Sequence, residues 1–268
     1  MSIPAQAFDR RQRVDRRRSE PHPITEDLAD AITANAIELL FQPQFHCADG
    51  ALAGAEALVR WTHEDHGQLA GDALVAISQS GGIARRLSRH IARAALTAAA
   101  QWPQELRLSL NVTAMDLFDR TFGEELLAML DDTGFPADRL TLEITEQALV
   151  ADLDRSAERL RVLADAGIRI ALDDFGAGFC NFKYLKVLPL HVLKLDRSML
   201  DGITDCDKDL AVLRGIVAMA RALDLKVIAE GIETEEQRAA VMREGCQVWQ
   251  GFLGAKPMSP EKFVAFPA

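Results

Sequence analysis

The chain has few features of a secreted, membrane-spanning or nucleic-acid-binding protein. Its four cysteines, Cys47, Cys180, Cys206 and Cys246, form no CxxC pair and no zinc spacing, which favours a reduced, cytoplasmic protein over a disulfide-stabilised secreted one. No run of residues is long and uncharged enough to span a bilayer, so no membrane association is expected. The net charge of −10 argues against binding to DNA, which requires a basic surface.

The sequence does contain enough apolar material for one large core. It has 268 residues, of which 49% are hydrophobic and 26% charged, and α/β barrels commonly have this size as a single domain. Arginines crowd residues 10–18, so residues 1–23 are expected to form a flexible, arginine-rich leader, with one barrel domain over 24–268. The leader is a candidate site for a protein partner.

Short β-like runs alternate with amphipathic helical runs along the rest of the chain. The predicted strands are Glu38–Phe45, Leu52–Trp61, Leu106–Val112, Leu140–Thr145, Ile168–Asp173, Val192–Leu195, Lys226–Glu230 and Val248–Gln250. The main predicted helices are Ile83–Ala100, Phe122–Asp132, Asp152–Ala166, Leu210–Leu223 and Thr234–Glu244, and Thr25 is expected to cap an earlier one. This alternation predicts an α/β protein with a TIM-like (β/α)8 barrel.

The first two predicted strands depart from the parallel pattern. Residues 47–50 alone separate them, which is the length and composition of a hairpin turn. The first strand should therefore run antiparallel to the second.

Polar residues recur near the C-terminal ends of the predicted strands, on the face opposite the apolar residues. Because side chains alternate along a strand, this face points into the barrel, where barrel enzymes build their active sites. The residues concerned are Glu56, Asn111, Glu143, Asp173, Lys194, Glu230 and Gln250.

The types of these residues indicate a metal-dependent reaction on a phosphate ester. Carboxylate and amide oxygens, without histidine or thiolate, select hard cations such as Mg²⁺ or Mn²⁺. The adjacent Asp173 and Asp174 suit a site in which one carboxylate bridges two cations. Lys194 could deprotonate or orient a water molecule, or neutralise charge that develops on the phosphate.

Structural interpretations of the same residues remain open at this point. Glu56 could merely pair with Arg60, because charged groups are seldom buried alone. Asn111 could satisfy the backbone of a loop, and Lys194 could serve only as a salt-bridge partner.

The motifs, taken in order, resemble those of the EAL phosphodiesterase family over about residues 24–260. Ala55-Glu56-Ala57-Leu58 followed by Arg60-Trp61 is similar to the signature that names these domains. The other matching motifs are Phe41-Gln42-Pro43, Ser109-Leu110-Asn111, Leu142-Glu143-Ile144-Thr145-Glu146, Asp173-Asp174-Phe175-Gly176-Ala177-Gly178, Leu193-Lys194-Leu195-Asp196, Ala229-Glu230-Gly231-Ile232-Glu233 and Gln250-Gly251-Phe252.

The resemblance implies hydrolysis of the bacterial second messenger cyclic di-GMP to linear pGpG by two Mg²⁺ or Mn²⁺ ions, in a homodimer. The implied metal ligands are Glu56, Asn111, Glu143, Asp173, Asp174 and Glu230. The implied catalytic residues are Lys194, Glu56, Glu230, Gln250 and Glu146, the last of which anchors the loop after Asp174. The implied substrate contacts are Gln42, Arg60, Asn111, Asp196 and Glu233.

Two segments depart from the family pattern. Residues 178–182 lack the usual serines followed by leucine, which bears on loop dynamics and on the basal rate. Residues 71–82 lack the usual proline, phenylalanine and acidic residues, which predicts altered packing without loss of chemistry. The alternative function is a catalytically silent cyclic di-GMP receptor that signals through a protein partner.

Overall fold

The computed structural model describes residues 23–149, 152–178 and 181–266. Its strands are β1 (Glu38–His46), β2 (Leu52–His63), β3 (Gly67–Ala70), β4 (Arg107–Val112), β5 (Leu140–Thr145), β6 (Arg169–Phe175), β7 (Val192–Leu195), β8 (Lys226–Ala229) and β9 (Val248–Gln250). Each of the predicted strands is confirmed with its ends within about two residues of the predicted ones.

Helices alternate with these strands. They are α1 (Pro23–Thr33), α2 (Gly71–Ser80), α3 (Ala84–Ala99), α4 (Ala114–Phe118), α5 (Phe122–Thr133), α6 (Glu146–Leu149), α7 (Leu153–Asp165), α8 (Phe182–Val187), α9 (Asp207–Ala222), α10 (Glu235–Glu244) and α11 (Pro260–Val264). The long helices of the sequence analysis are α3, α5, α7, α9 and α10. No helix in the described part of the chain has the length and apolar character needed to cross a membrane.

The strands close into a barrel in the order β1-β9-β8-β7-β6-β5-β4-β2, and β2 pairs back onto β1. Strands β2 and β4 to β9 run parallel to one another, whereas β1 is antiparallel to both β2 and β9. The (β/α)8 barrel with an antiparallel first strand is thus confirmed. Pairing brings β2 and β4 so close at Gly54 that a Cβ there would overlap the Arg107 carbonyl.

The two faces of each barrel strand have the predicted character. On β5, for example, Leu140, Leu142 and Ile144 are fully buried against the surrounding helices. Inside the barrel, Ala171, Val192 and Ile228 form a separate small apolar cluster below the polar residues of the strand ends. The lower part of the barrel interior is thus apolar, and the polar residues lie at the C-terminal ends of the strands.

Three sequence expectations need correction or stay untested. The Thr25 cap is wrong, because α1 begins at Pro23 and the buried Oγ1 of Thr25 has no hydrogen-bond partner among the described residues. Strand β3, which pairs antiparallel with β2, was not predicted from its exposed Gly67–Ala70 sequence. The leader stays a prediction, since residues 1–22 lie outside the described residues, as do residues 179 and 180 of the atypical loop.

Candidate metal centre and active site

Lys194 lies at the centre of the polar cluster at the barrel mouth. Strand β7 carries it inward, and only 1% of its side chain is exposed. Its Nζ lies 2.7 Å from Glu143 Oε2 and 2.7 Å from Glu230 Oε1. The same atom lies 3.0 Å from Asp173 Oδ1 and 3.8 Å from Glu56 Oε2. One ammonium group thus joins carboxylates from four strands or strand ends.

The charges of this cluster perturb one another because water is excluded. Burial alone would lower the pKa of Lys194, but the carboxylates around it raise that pKa well above its usual range. Burial raises the pKa of Glu143 well above its usual range, against the opposing effect of Lys194. Burial likewise raises the pKa of Glu230 to about 8. Burial, with the neighbouring carboxylates, thus opposes ionisation of Glu143 and Glu230 more strongly than Lys194 favours it.

A chain of amide side chains holds Glu56 in place. Asn111 Nδ2 donates to Glu56 Oε1 at 2.7 Å, and Gln250 Nε2 donates to Glu56 Oε2 at 2.8 Å. Gln44 Nε2 in turn donates to Gln250 Oε1 at 2.9 Å, and Gln44 is itself buried. Gln44 is not among the residues predicted from the sequence, although it lies two residues after Gln42 on β1 and therefore shares its inward face.

A bulge in β6 brings two consecutive carboxylates to the same mouth. The β6–β7 pairing shifts register between Leu172 and Phe175, and Asp174 adopts a left-handed φ of 55°. Its N–H donates to Asp173 Oδ1 at 2.9 Å. In a regular strand the two side chains would point to opposite faces, so the bulge is what allows both to line one cavity.

The residues of the cluster fit hard divalent cations. Asp173, Asp174 and Glu230 each offer an oxygen, and these oxygens lie within 4.8 Å of one another. The buried Oε1 of Glu143 has no hydrogen-bond partner among the described residues, so it is free to act as a ligand. All donors are carboxylate or amide oxygens, the set that Mg²⁺ and Mn²⁺ prefer.

Most residues of the cluster line a cavity of about 1250 Å³, which also extends along α2 and α3 and is large enough for a nucleotide ligand. Arg60 and Glu146 line this cavity as well. Arg60 Nη1 donates to the Val59 carbonyl at 2.8 Å and not to Glu56, so the interpretation of Glu56 as its partner is wrong. Burial raises the pKa of Glu146, opposed by the main-chain N–H of Asn181 at the start of α8.

Three of the residues implied as substrate contacts form no side-chain hydrogen bond or ion pair with the cluster among the described residues. Gln42 pairs with Glu56 across β1 and β2 in the strand register and is half-buried. Asp196 Oδ1 accepts from the Ser198 N–H at 3.0 Å and so caps the short 3-10 turn after β7. Glu233 forms an exposed ion pair of 2.6 Å with Arg197. Their contact with a substrate stays a prediction.

This arrangement agrees with the comparison with known protein families. A family model described as the EAL domain matches residues 25–257. The chain belongs to the EAL domain family.

Curated relatives and solved structures include cyclic di-GMP phosphodiesterases. The chain is 34% identical over 258 residues to the cyclic di-GMP phosphodiesterase NbdA of Pseudomonas aeruginosa, with 95% of this chain and 33% of that protein covered. It is 30% identical over 246 residues to the bifunctional diguanylate cyclase/cyclic di-GMP phosphodiesterase MucR of the same organism, with 90% and 36% covered. The chain thus spans about a third of the length of these relatives.

A solved EAL structure superposes closely on the barrel. It is that of the PaMucR phosphodiesterase in complex with c-di-GMP, with a TM-score of 0.82 and 30% sequence identity. The match covers 89% of this chain and 98% of that one. The similarity therefore extends over nearly all of the described EAL domain.

Proposed function

We propose that this EAL domain hydrolyses cyclic di-GMP to linear pGpG with two divalent cations, Mg²⁺ or Mn²⁺. The observation that carries the proposal is the cluster around Lys194, in which carboxylates from separate strands converge at the wall of a nucleotide-sized cavity. The relatives named as cyclic di-GMP phosphodiesterases support the choice of substrate.

The charge of the cluster supports two cations rather than one. Its carboxylates are Glu56, Glu143, Asp173, Asp174 and Glu230. Five carboxylates against the single ammonium of Lys194 leave a formal charge of −4 when all are ionised, which two divalent cations would neutralise. We assign Glu56, Asn111, Glu143 and Asp173 to the first cation, and Asp173, Asp174 and Glu230 to the second.

The side chains of the mouth would then divide the work of phosphodiester cleavage. The bound cations would supply Lewis-acid activation of a water and of the phosphate. Lys194 Nζ, at the centre of the cluster, would orient that water and offset charge on the phosphate. Gln250 would hold Glu56 in its ligating position, and Arg60 at the cavity wall would bind a phosphate oxygen.

Other parts of the proposal concern the periphery of the site. Glu146 would anchor the loop that follows Asp174, because it faces the Asn181 N–H beyond that loop. Gln42, Asp196 and Glu233 would contact the nucleotide, and the domain would act as a homodimer.

The test is chromatography of the products formed from cyclic di-GMP with Mg²⁺, with Mn²⁺ and with a chelator. We expect pGpG with either cation, none with the chelator, and a loss of about a hundredfold or more in Glu56→Gln. Glu64→Gln is the matched control, because Glu64 is exposed in the turn between β2 and β3. Binding of intact cyclic di-GMP without product would instead support the silent receptor.

A further inference from the structure

The end of the barrel opposite the candidate centre is basic. Arg107, Arg169 and Lys226 are the first residues of β4, β6 and β8. Each lies four residues before a polar residue of the mouth: Asn111, Asp173 and Glu230. Because residues four apart on a strand share a face, the three cations surround the axis at the N-terminal end of the barrel.

A pocket of about 330 Å³ opens at this end, which is within the lower range of small-molecule sites. Its polar lining comes from Arg169, His191, Arg221, Asp224, Lys226 and Gln247, and we call it the basic pocket. Val217 and Leu225 add apolar surface. Along the strands, the interior cluster of Ala171, Val192 and Ile228 lies between these cations and the candidate centre.

The cations of the basic pocket have few partners of opposite charge. Among the residues that the structure describes, no carboxylate oxygen lies within 4.0 Å of a side-chain nitrogen of Arg169, Arg221 or Lys226. Asp224 lines the pocket, and Asp138 acts on Arg169 only at longer range. The local charge is thus positive in a chain whose net charge is −10.

The positive charges at this end of the barrel also lower the pKa values of neighbouring basic groups. Burial, and then the charges of Arg169 and Arg107, lower the pKa of Lys226. Burial followed by Arg169 lowers the pKa of His191, and burial followed by Arg169 lowers that of Arg107. Partly buried like charges destabilise a fold unless a counter-ion joins them.

We propose that the basic pocket binds a phosphate-bearing anion, at a second site remote from the candidate centre. Two guanidinium groups and an ammonium group provide the forked and point-charge donors that recognise phosphate oxygens. The pocket is larger than inorganic phosphate needs, and its apolar wall of Val217 and Leu225 suits the organic part of a phosphate ester. The proposal does not depend on the reaction at the mouth.

The test is calorimetric titration of the chelator-treated chain with inorganic phosphate at constant ionic strength. Without divalent cations the carboxylates of the mouth repel anions, and the part of the phosphate binding that the variants of the pocket remove reports on the basic pocket itself. We expect saturable binding that weakens about tenfold or more in Lys226→Ala and in Arg221→Ala, since each variant loses a charge-assisted hydrogen bond. Lys208→Ala is the matched control, because it removes an exposed cation from the first turn of α9.

Titration with GMP shows whether the pocket prefers a phosphate ester or free inorganic phosphate. Guanosine serves as the uncharged counterpart of GMP. Binding of GMP that is tighter than that of phosphate would assign a phosphate ester, and equal binding would assign the free anion. If neither inorganic phosphate nor GMP binds saturably, the proposal is overturned. Wild-type affinity in Lys226→Ala and Arg221→Ala, with their folding verified by circular dichroism, would overturn it as well.

Discussion

Gln44 donates a hydrogen bond of 2.9 Å to Oε1 of Gln250, the side chain that itself holds Glu56. Both glutamines are buried, so neither amide can exchange its partner for water. The contact fixes which end of the Gln250 amide faces Glu56. Gln44 is thus a positioning residue for the proposed metal ligand Glu56.

Replacing Gln44 should lower activity without unfolding the barrel. Gln44→Leu leaves Gln250 free to rotate, so we expect kcat for cyclic di-GMP to fall about tenfold with little change in KM. Steady-state kinetics beside Gln68→Leu, an exposed change on β3, would measure this. A variant that loses thermal stability but keeps its kcat would show that Gln44 acts only in packing.

Removing the charge of Asp174 should weaken the second proposed metal site selectively. Asp174→Asn preserves a residue type that tolerates the left-handed φ of 55°, so the bulge should persist while a charged ligand is lost. We expect Mn²⁺ affinity to fall about tenfold or more in calorimetric titrations. The matched control is Asp224→Asn, at another left-handed position with φ 57° far from the mouth, and equal losses in both variants would contradict the assignment.

Lys194 should stabilise the metal-free protein. In Lys194→Met the carboxylates of Glu143, Asp173 and Glu230 lose their shared counter-charge, and removal of one partner of a buried ion pair typically costs about 3–5 kcal/mol. Urea denaturation with a chelator should show this loss, and Mn²⁺ should restore much of it.

The same variant has a predicted pH dependence. Burial raises the pKa of Glu143 and Glu230 above their usual values, so these groups take up protons in the folded state as the pH falls. Protonated carboxyls need no counter-charge. The difference in the free energy of unfolding between the unmodified chain and Lys194→Met should therefore shrink as the pH falls from 9 to 6. A deficit that is constant over this range would mean that packing, not charge, is lost.

The regular parts of the fold could be predicted from the sequence because they follow periodic patterns. Leu140, Leu142 and Ile144 alternate with Thr141 and Glu143, which specifies both the strand and its inward face. The hairpin at residues 47–50 follows from the length and the composition of the turn. Strand β3 escaped prediction because its four residues are stabilised by pairing with β2 and not by burial.

The residue types of the site could be predicted from the sequence, but the strand bulge and the hydrogen bonds that position them could not. The alternation of side chains along a regular strand places Asp173 at the mouth and Asp174 on the other face. The bulge that brings Asp174 to the mouth leaves no periodic signal in the sequence. The partners of Glu56 depend on contacts such as Gln250, which is remote in the chain. Gln44 carried no charge and belonged to no metal-binding pattern, so only its hydrogen bond to Gln250 identified it.

The most direct test of the central claim is mass spectrometry of the product that the chain forms from cyclic di-GMP in ¹⁸O-labelled water. Hydrolysis should give linear pGpG that carries one ¹⁸O atom in its terminal phosphate, formed only when Mg²⁺ or Mn²⁺ is present. Recovery of intact, unlabelled cyclic di-GMP from a protein that binds it and holds its divalent cations would contradict hydrolysis and establish a receptor.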